Sequence, residues 1–553
     1  MPPSILLIVA DDLPRNTLGA YGASHGLTPA MDRLAKAGLT FQNAFTTSPL
    51  CTPSRYSILT GMHASTAPQN ARTSADVGRG VRAIKFNIWL QDQANATIAG
   101  RLRQQGYTTG FVGKWHLANT DQLTGGAEPS QRDQQECVRR NGGFDFADDI
   151  YLSNDALEAY AHNPEWMAFV AARFMRRAGK GGGPFFMYMA PTLPHEPLKN
   201  IAEQLTWEPR SGPPASTASN PHSVEQQSFM SDARALRERV AMRLKQASLL
   251  CPAGSNARNW TLCSQKQLPA LHTLISSAPW LPTDLSVKEV ALVTAAASWL
   301  DETLVELLQQ AEAAASGHAA GLLIILSADH GPGWAGKGHP YEAGVRVPLL
   351  MKLPAPWAAA NSQGSSLPGR VTHLDLLPTL EALALPTPGL RASVPTHGKS
   401  FVDTLHSTAH GSSSLVHPRN STFFIEVGYS RTVVTSHWKL IVVSPPPSTR
   451  PGCVSFQGTP MDSFIAAFDA GDKKPKQALI YDGYRHHSAT YCDPIQLYSL
   501  VADPAETTNL AEREPDVTSE LGLALEGFVH MAEPTARFRV RASTSAQTQP
   551  DRG

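Results

Sequence analysis

Compact apolar runs recur along the first 330 positions of the chain, and each of them ends abruptly in polar residues. Runs with the length of buried strands lie at residues 5–10, 107–112, 184–190 and 322–327. Segments with the periodicity or composition of helices lie between them, at residues 28–37, 54–59, 97–105, 164–177 and 287–315. Strands that alternate with helices predict an α/β fold with a mainly parallel sheet covered by helices on both faces.

The pattern changes beyond about residue 386. Short strand candidates with Gly, Pro and Ser connections follow at residues 423–426, 431–434, 438–443 and 478–481, and a helix is predicted over 516–532. We therefore expect a large N-terminal domain over 1–395 and a smaller C-terminal α+β domain with an antiparallel sheet over 396–542. Segments rich in Gln, Ser, Pro and Gly predict insertions at about 118–145 and 205–285, and a disordered tail at 543–553.

Composition narrows the classes of partner. With 553 residues and 42% hydrophobic content the chain can bury a large core. Lys plus Arg and Asp plus Glu both number 47, so a general cationic field for nucleic acid or anionic membrane is absent. No run approaches the roughly 20 apolar residues of a membrane span. We expect neither nucleic-acid binding nor a membrane-spanning segment.

The sequence is compatible with two cellular locations of the protein. The first apolar run lacks a basic lead-in and ends in Asp11 and Asp12, which fits a buried strand better than a signal peptide. Glycosylation sequons at Asn95, Asn259 and Asn420 would make the chain a glycoprotein only in a secretory compartment. The protein is expected to be secretory, lysosomal or extracellular if a signal peptide is missing from this chain, and otherwise cytoplasmic.

The cysteines leave the same choice open. There are six, and if Cys51 has a chemical role, an oxidising compartment permits two disulfides and leaves Cys137 alone. Reduced thiols in a cytosolic enzyme are the alternative. The two candidate pairs are Cys251 with Cys263 and Cys453 with Cys492.

Ionisable residues collect where the predicted strands end. Ligands of open α/β sheets bind beyond the carboxyl ends of the strands. Asp11 and Asp12 are adjacent carboxylates, for which a helix cap or a solvated turn is the alternative, and their pairing with Asp329 and His330 favours a divalent cation instead. Oxygen ligands indicate calcium or magnesium rather than zinc, although an imidazole at His330 makes that choice less clean. The strand-end residues are Asp11, Asp12, Lys114, His116, His195, Asp329 and His330.

Cys51 stands where a helix is predicted to start. Thr52 is a suitable N-cap and Pro53 suits the first helical position, so the positive end of the helix would point at the cysteine. This pattern predicts an anion site beside a nucleophile. An ordinary helix start with a buried thiol is the alternative.

Two lysines, Lys114 and Lys337, add positive charge to the predicted site formed by the strand-end residues and Cys51. Lys114 and His116 are two residues apart, which in extended backbone places both on one face, and Gly113 leaves room for close approach. Lys337 lies between two glycines, so its ammonium group can swing towards an anion. Exposed lysines and a structural histidine are the alternatives for the isolated residues.

The ordered motifs resemble those of type I (formylglycine-dependent), arylsulfatase-like sulfatases of the alkaline phosphatase superfamily. Ala343 stands where the family pattern has glycine. Further similar segments are Thr372–Leu380, Leu497–Leu500, Asp503–Glu506 and Asn509–Leu510. The motifs that carry the resemblance are Cys51-Thr52-Pro53-Ser54-Arg55 with Leu59-Thr60-Gly61, Gly106-Tyr107-Thr108-Thr109 with Gly113-Lys114-Trp115-His116, and Gly336-Lys337-Gly338.

The resemblance implies an alkaline phosphatase-like fold, a metal site and a modified cysteine. Cys51 would be oxidised to formylglycine by a formylglycine-generating enzyme during maturation. By analogy the metal is calcium, with magnesium as the other candidate. Its implied ligands are Asp11, Asp12, Cys51, Asp329 and His330.

The resemblance also implies catalytic roles for five residues besides Cys51. Arg55 would hold the formylglycine hydrate, and Lys114 would bind oxygens beside the metal and the sulfate. Lys337 and His195 would bind sulfate and donate a proton to the leaving oxygen. His116 would deprotonate the remaining hydroxyl, so that the covalent sulfate is expelled and the aldehyde is regenerated.

The expected function is hydrolysis of a sulfate ester to an alcohol and inorganic sulfate. The substrate would be an aryl sulfate or a sulfated carbohydrate, chosen by loops at the rim of the site. One alternative is a phosphonate monoester or phosphodiester hydrolase of the same superfamily, because the same metal and nucleophile suit phosphorus. Another is a catalytically silent carbohydrate-binding relative.

Overall fold

The structure is a computed structural model of the 553-residue chain. It describes residues 2–24, 26–70, 84–85, 87–125, 129–152, 162–198, 201–205, 209, 224–247, 249–252, 260–262, 287–332, 336–354, 357, 363–384, 395–409, 422–443, 493–533 and 538–540.

The strands have the following bounds: β1 Ser4–Ala10, β2 Leu39–Phe45, β3 Thr108–Lys114, β4 Phe146–Tyr151, β5 Phe185–Ala190, β6 Leu250–Pro252, β7 Trp260–Leu262, β8 Leu322–Ala328, β9 Arg346–Val347, β10 Leu349–Lys352, β11 Ser365–Thr372, β12 Phe423–Val427, β13 Ser430–Val434, β14 Trp438–Val443 and β15 Ile495–Ser499.

The α-helices have the following bounds: α1 Pro29–Lys36, α2 Cys51–Thr60, α3 Ile98–Gln104, α4 Thr120–Thr124, α5 Gln131–Gly142, α6 Pro164–Lys180, α7 Ile201–Gln204, α8 Val224–Gln246, α9 Val287–Ala315, α10 Glu342–Val345, α11 Leu376–Ala384, α12 Val402–Ala409 and α13 Pro515–Ala532. Short 3-10 turns lie at Arg15–Thr17, Gly19–Tyr21, Ala64–Thr66, Pro68–Asn70, Ala94–Ala96 and His373–Asp375.

The large sheet has the strand order β11-β2-β10-β8-β1-β5-β3-β4, with β9 beside β2. The neighbours of β1 on both sides, β8 and β5, run parallel to it, whereas β10 is antiparallel to β8 and β2. The sheet is therefore mixed but mainly parallel, as the alternation of apolar runs and helices predicts. The expected α/β fold class is confirmed.

The core of the sheet lies at β1, whose residues are all buried. This follows from its central position, because a strand with parallel neighbours and helices on both faces has no exposed side. Helices α6 and α9 pack together, and the Phe174 ring of α6 packs so closely on Gly110 of β3 that a Cβ there would lie 2.7 Å from it. Within the described part of the chain, no helix combines the length and apolar character that a membrane span requires.

The smaller sheet is antiparallel, with the order β12-β13-β14-β15. Side chains on one of its faces, such as Leu440, pack against α13 residues including Leu525 and Phe528. Other side chains of this sheet contact the large domain, where Phe423 and Val434 cluster with Phe45 and others. This sheet confirms the expected C-terminal antiparallel unit.

Several segment predictions have a different outcome. The fourth strand of the small sheet is β15, whereas the predicted strand at 478–481 lies outside the described residues. The tail at 543–553 and most of the predicted insertion at 205–285 also lie outside them. Residues 118–145 contain α4 and α5, and α5 begins with a capping box between Ser130 and Asp133. The insertion and domain boundaries stay predictions.

Candidate active site

The carboxyl ends of four neighbouring strands form the candidate site. In the order β8-β1-β5-β3, adjacent strands are spaced by about 4.8 Å, so residues that follow these strands meet at one edge. Ala10 and Ala328 are register partners, which places Asp11 beside Asp329. Lys114 is the last residue of β3. The strand ends therefore bring the sequence-predicted residues together.

Four of the predicted metal ligands form one compact buried group. Asp11, Asp12, Cys51 and His330 each offer a ligand atom, and these atoms lie within 4.8 Å of one another. The Nδ1 atom of His330 is 3.1 Å from Asp12 Oδ1, and its Nε2 atom is 3.2 Å from the Cys51 sulfur. The backbone of Asp12 has a positive φ of 61°, an uncommon conformation for a residue with a side chain. We interpret this local strain as a way to aim the two adjacent carboxylates at one point.

Asp329, the fifth predicted ligand, lies beside this group with its carboxylate already engaged. Its Oδ1 accepts the backbone N–H groups of Asp12 and His330 at 3.1 and 2.9 Å. Its Oδ2 accepts from Arg55 at 2.9 Å. The structure thus shows Asp329 holding the backbone of two ligand residues. A direct ligand role for Asp329 stays a prediction.

Cys51 is the first residue of α2, so the helix starts two residues earlier than the Thr52 N-cap prediction places it. The residue before the helix is Leu50, in extended conformation and without a side-chain cap. Thr52 is buried inside the first turn, and its hydroxyl has no hydrogen-bond partner. The N-cap prediction for Thr52 and the first-position prediction for Pro53 are therefore wrong. The cysteine itself still lies at the positive end of the helix.

Arg55 lies one helical turn after Cys51 and points into the same site. Its Nη2 atom is 3.3 Å from Asp11 Oδ1 and 2.9 Å from Asp329 Oδ2. Its Nη1 atom donates to the backbone carbonyl of Lys114 at 3.1 Å. A single buried guanidinium thereby connects the ends of β1, β8 and β3.

Lys114 and His116 both reach Cys51, but not through an extended backbone. The Lys114 ammonium group is 2.6 Å from Asp11 Oδ2 and 3.7 Å from the Cys51 sulfur. The chain turns at His116, where φ is 55°, and the imidazole hydrogen-bonds to Cys51. Gly113 is needed next to them, because a Cβ there would meet the carbonyl oxygen of Ala190 at 2.2 Å.

Lys337 and His195 approach the site from the side of Asp12. The Lys337 ammonium group donates to both Asp12 oxygens at 3.0 Å. His195 Nε2 is 3.8 Å from Asp12 Oδ2, and its Nδ1 is 2.7 Å from the carbonyl oxygen of Glu196. The His195 side chain remains 21% exposed, so it lies between the buried carboxylates and solvent.

The concentration of charge shifts the pKa values of the acidic groups. Burial alone would raise the pKa of Asp11, but the charges of Lys114, His195 and Arg55 outweigh it and hold this pKa well below its usual range. Burial likewise opposes ionisation of Cys51, yet nearby cations, Lys114 first, place the pKa of its thiol well below the ordinary value. The site therefore stabilises negative charge at position 51.

The histidines of the site are shifted in opposite directions. Burial lowers the pKa of His116 despite its hydrogen bond to Cys51. Burial would also lower the pKa of His330, but Asp329, Cys51 and Asp12 raise it to about 9. The pKa of His195 is raised because the carboxylates of Asp11 and Asp12 outweigh burial and the two lysines. The site therefore contains one imidazole that favours the neutral form, His116, and one that is more readily protonated, His195.

The donor set fits a divalent cation. Oxygen atoms of the two adjacent buried carboxylates and a ring nitrogen of His330 converge within the distance that one bound ion can span. Hard oxygen donors from Asp11 and Asp12 suit calcium or magnesium. Cys51 lies within the same group, so an oxygen-bearing derivative of its side chain would also face the cation.

The sequence motifs did not assign roles to two buried histidines near the site. His373 lies between the hydroxyls of Ser54 and Ser327, at 3.4 and 3.2 Å, beneath α2. His162 Nδ1 is 2.9 Å from the Thr192 hydroxyl, in the loop that carries His195. His373 belongs to the Thr372–Leu380 segment, whose similarity to the family could have indicated this histidine from the sequence. His162 has no motif, because only folding brings it to the site.

The thiols can be described in part. Among the described side chains, Cys51 and Cys137 are free. The candidate pair of Cys453 and Cys492 lies outside the described residues. So does Cys263, and the side chain of its candidate partner Cys251 is not described either.

Comparison with known proteins identifies the relatives of the chain. The family model described as Sulfatase matches residues 3–385. Human arylsulfatase D is 41% identical over 116 residues, covering 21% of this chain and 18% of the relative. The N-acetylgalactosamine-6-O-sulfatase of Bacteroides thetaiotaomicron is 40% identical over 121 residues, covering 21% and 20%. Human arylsulfatase A is 32% identical over 227 residues, covering 35% and 42%. These alignments thus span less than half the length of the curated relatives.

Solved structures resemble the chain over nearly its whole length. Ps i-CgsB in complex with k-i-k-neocarrahexaose has a TM-score of 0.56 and 17% identity, covering 98% of this chain and 95% of the other. A protein solved with its substrate D-glucosamine-2-N,6-O-disulfate has a TM-score of 0.57 and 17% identity, covering 97% and 100%. At this identity the likeness concerns the fold, and it agrees with the alkaline phosphatase-like architecture.

Proposed function

The chain belongs to the sulfatase family, and we propose that it hydrolyses sulfate esters to an alcohol and inorganic sulfate. The observation that carries the proposal is the buried position of Cys51, at a helix start among two carboxylates, two lysines, an arginine and two histidines. Such a site stabilises a negatively charged group and surrounds a potential nucleophile with proton donors and acceptors.

In this proposal the cations bind the sulfate oxygens. Lys114 and Lys337 would each donate to the group, since their ammonium groups contact the two adjacent aspartates, Lys114 at Asp11 and Lys337 at Asp12. Arg55 keeps the strand ends together and orients the side chain at position 51. A fixed set of positive groups stabilises charge that develops on sulfate in the transition state.

Two histidines take opposite roles in proton transfer. His195, whose pKa is raised, donates a proton to the leaving alcohol together with Lys337. His116, whose pKa is lowered, is placed to accept a proton, and on a formylglycine hydrate at position 51 it would take the proton of the remaining hydroxyl after the alcohol has left. The mouth of the site is on the side of the partly exposed His195, where the alcohol can depart.

Formylglycine at position 51, formed from Cys51 by a formylglycine-generating enzyme, would supply a hydrated aldehyde with one hydroxyl for attack on sulfur and another for release of sulfate. A divalent cation, which we propose to be calcium, would be held by Asp11, Asp12, His330 and residue 51, with Asp329 as a further candidate ligand. It would supply positive charge that polarises the sulfate.

We further propose that the substrate is an aryl sulfate or a sulfated carbohydrate. Relatives named arylsulfatase and N-acetylgalactosamine-6-O-sulfatase support both classes. Neighbouring structures contain a neocarrahexaose and a glucosamine disulfate. In this proposal the buried site at the edge of the large sheet would bind the sulfate group, whereas loops at the rim would select the alcohol.

Mass spectrometry of the peptide that contains Cys51 tests the modification. Protein produced with a formylglycine-generating enzyme should yield a peptide about 18 Da lighter than the cysteine form. The peptide that contains Cys137 serves as an internal control and should keep its cysteine mass. An unmodified Cys51 in fully active protein would refute the chemistry proposed for this residue.

Substrate comparison tests the reaction itself. The modified protein should hydrolyse 4-nitrophenyl sulfate faster than bis(4-nitrophenyl) phosphate. Faster phosphodiester cleavage would favour the phosphonate monoester or phosphodiester hydrolase alternative. Absence of hydrolysis of either compound, with the formylglycine confirmed, would favour a silent carbohydrate-binding relative.

A further inference from the structure

A buried ion cluster joins the small sheet to the loop that carries Lys337. Lys439 of β14 is 0% exposed and donates to Glu342 at 2.8 Å. The same ammonium group is 2.6 Å from Glu506 Oε1. The other oxygen of Glu506 accepts the backbone N–H of Glu342 at 2.7 Å. We call Glu342, Lys439 and Glu506 the bridging triad.

The bridging triad fixes α10, a helix of only four residues. A single turn has no stability of its own, because the nucleation cost exceeds the gain from its few hydrogen bonds. Its N-cap residue Tyr341 makes no side-chain cap hydrogen bond. The Glu506 carboxylate satisfies the N–H of Glu342 instead. The C-terminal end of α10 is held by the large sheet, where Thr46 N–H donates to the Val345 carbonyl at 2.8 Å, whereas its N-terminal end is held by groups that the small domain supplies.

The backbone of α10 packs closely against Gly331 and Gly336, which precede Lys337 in the chain. A Cβ at Gly336 would meet the backbone nitrogen of Gly344 at 2.5 Å, and a Cβ at Gly331 would meet the carbonyl oxygen of Ala343 at 1.9 Å. The Gly331 N–H also donates to the Gly344 carbonyl at 2.9 Å. A shift of α10 would thus displace the residues next to His330 and Lys337.

From these contacts we propose that Lys439 is a positioning residue for the sulfatase reaction. It holds Glu342, and through α10 it holds Lys337, whose ammonium group lies 3.0 Å from both Asp12 oxygens. The inference rests on the proposed function, in which Lys337 binds sulfate and assists the leaving oxygen. It also gives a role to Glu506, in the Asp503–Glu506 segment, which the catalytic mechanism does not use.

Removal of the Lys439 charge should move α10 rather than unfold the protein. In a Lys439→Met variant the carboxylates of Glu342 and Glu506 would face each other without the cation that lies between them, whereas Arg346, 3.4 Å from Glu342, and the more distant Arg15 act on Glu342. Buried like charges repel strongly in a medium of low polarity. A displacement of about 1 Å at a catalytic group can cost about 100-fold in rate.

Leaving-group dependence separates positioning from a general loss of folded protein. Phenyl sulfate releases a more basic alcohol than 4-nitrophenyl sulfate and needs Lys337 more. We expect Lys439→Met to lower kcat by roughly 100-fold for phenyl sulfate and roughly tenfold for 4-nitrophenyl sulfate. The control is Lys352→Met, which removes a lysine paired with Glu312 near the surface and should leave both rates unchanged. An equal loss on both substrates would overturn the proposal.

Hydrogen exchange supplies a readout that does not depend on activity. In Lys439→Met the amides of residues 336–346 should exchange at least about tenfold faster, while those of β1 stay protected. Glu506→Gln, which keeps a hydrogen-bond acceptor for the Glu342 N–H, should show a smaller effect. Unchanged exchange at 336–346 would overturn the positioning role. Wild-type protein that cleaves neither sulfate would instead refute the proposed function, and exchange would still report on the bridging triad.

Discussion

At the scale of single residues, position 51 is where positive charge converges. The Cys51 sulfur is contacted by the ammonium group of Lys114 and by the imidazoles of His116 and His330. It also lies at the positive end of α2. Burial normally makes a cysteine inert by raising the pKa of its thiol. Here the surrounding cations reverse that effect and lower the pKa. The same field suits an anionic oxygen on a modified side chain.

Cys51→Ala should abolish sulfate ester hydrolysis while it preserves the fold. Loss of the nucleophile removes the covalent route, and we expect the rate with 4-nitrophenyl sulfate to fall by at least about 10⁴-fold. Cys137→Ala is a matched control, because Cys137 is also a buried free thiol but lies on α5, with its sulfur near Asn141. Retained turnover in Cys51→Ala would contradict the nucleophile assignment.

His373 should lower the free energy of unfolding of the protein as the pH falls into the acid range. Burial lowers the pKa of this imidazole to about 3 in the folded state, whereas an unfolded histidine titrates near about 6.5. The neutral form is favoured by folding, so its stabilising contribution is present above about pH 6.5 and is lost as the pH falls towards 3. The expected slope is at most about 1.4 kcal/mol per pH unit.

Urea unfolding of wild type and His373→Gln at pH 7, 6 and 5 measures this contribution. The free energy of unfolding should fall more steeply for wild type, because glutamine does not titrate in this range. Other buried histidines, His162 and His339, have lowered pKa values too and will add to the slope of both proteins. Parallel curves for the two proteins would show that His373 does not contribute.

At the scale of elements, apolar runs were sufficient to place the strands that form the site. The bounds of β1, β5 and β8 differ from the predicted runs by one residue at an end, because these strands are buried on both faces and read as continuous apolar sequence. The start of α2 was misplaced, since Thr52 looks like an N-cap but lies buried within the first turn. Local cap preferences are worth about 1 kcal/mol and yield to tertiary packing.

Thr97, the threonine of the Asn95-Ala96-Thr97 sequon, has a structural role as the N-cap of α3. Its hydroxyl accepts the N–H of Gly100 at 3.1 Å as the N-cap of α3 and donates to the carbonyl of Gly142 at 2.6 Å. Thr97→Val should therefore lower the free energy of unfolding by about 1–2 kcal/mol. Asn95→Gln, which removes the same sequon at an exposed residue, should change it by less than about 0.5 kcal/mol. Equal effects in unglycosylated protein, measured by urea unfolding, would argue against the capping role.

At the scale of the whole molecule, the small sheet contacts the large domain and reaches the helix α10 that lies next to the candidate site. This sheet packs on α13 with some side chains and on the large domain with others, including Val434 beside Phe45. Lys439 reaches Glu342 from within that sheet, and Glu426 accepts the backbone N–H of Ser65 at 2.6 Å. Because these contacts converge near the site loops, loosening the small domain should affect catalysis before it exposes the main core.

Calcium should stabilise the whole fold if Asp11 and Asp12 bind it. A ligand that binds only the folded state at 100 times its Kd adds about 2.7 kcal/mol to the free energy of unfolding. Protein treated with a chelator should therefore gain several degrees in Tm when excess calcium is restored. Asp12→Asn should lose most of this shift, whereas Asp121→Asn, at an exposed residue of α4, should keep it. A shift of equal size in both variants would place the calcium elsewhere.

Local patterns in the chain predicted the fold class, the edge of the sheet that carries the candidate site and the ionisable residues expected there. The first two follow from apolar runs and helix periodicity, whereas the roles of the ionisable residues are what the resemblance to sulfatases implies. Only the tertiary structure decided which atoms meet: Lys337 reaches Asp12 across 325 positions, Asp329 pairs with Arg55 across 274, and Lys439 holds Glu342 from another sheet. Such pairings depend on how buried elements pack and on which charges must be compensated there, and no local pattern encodes them.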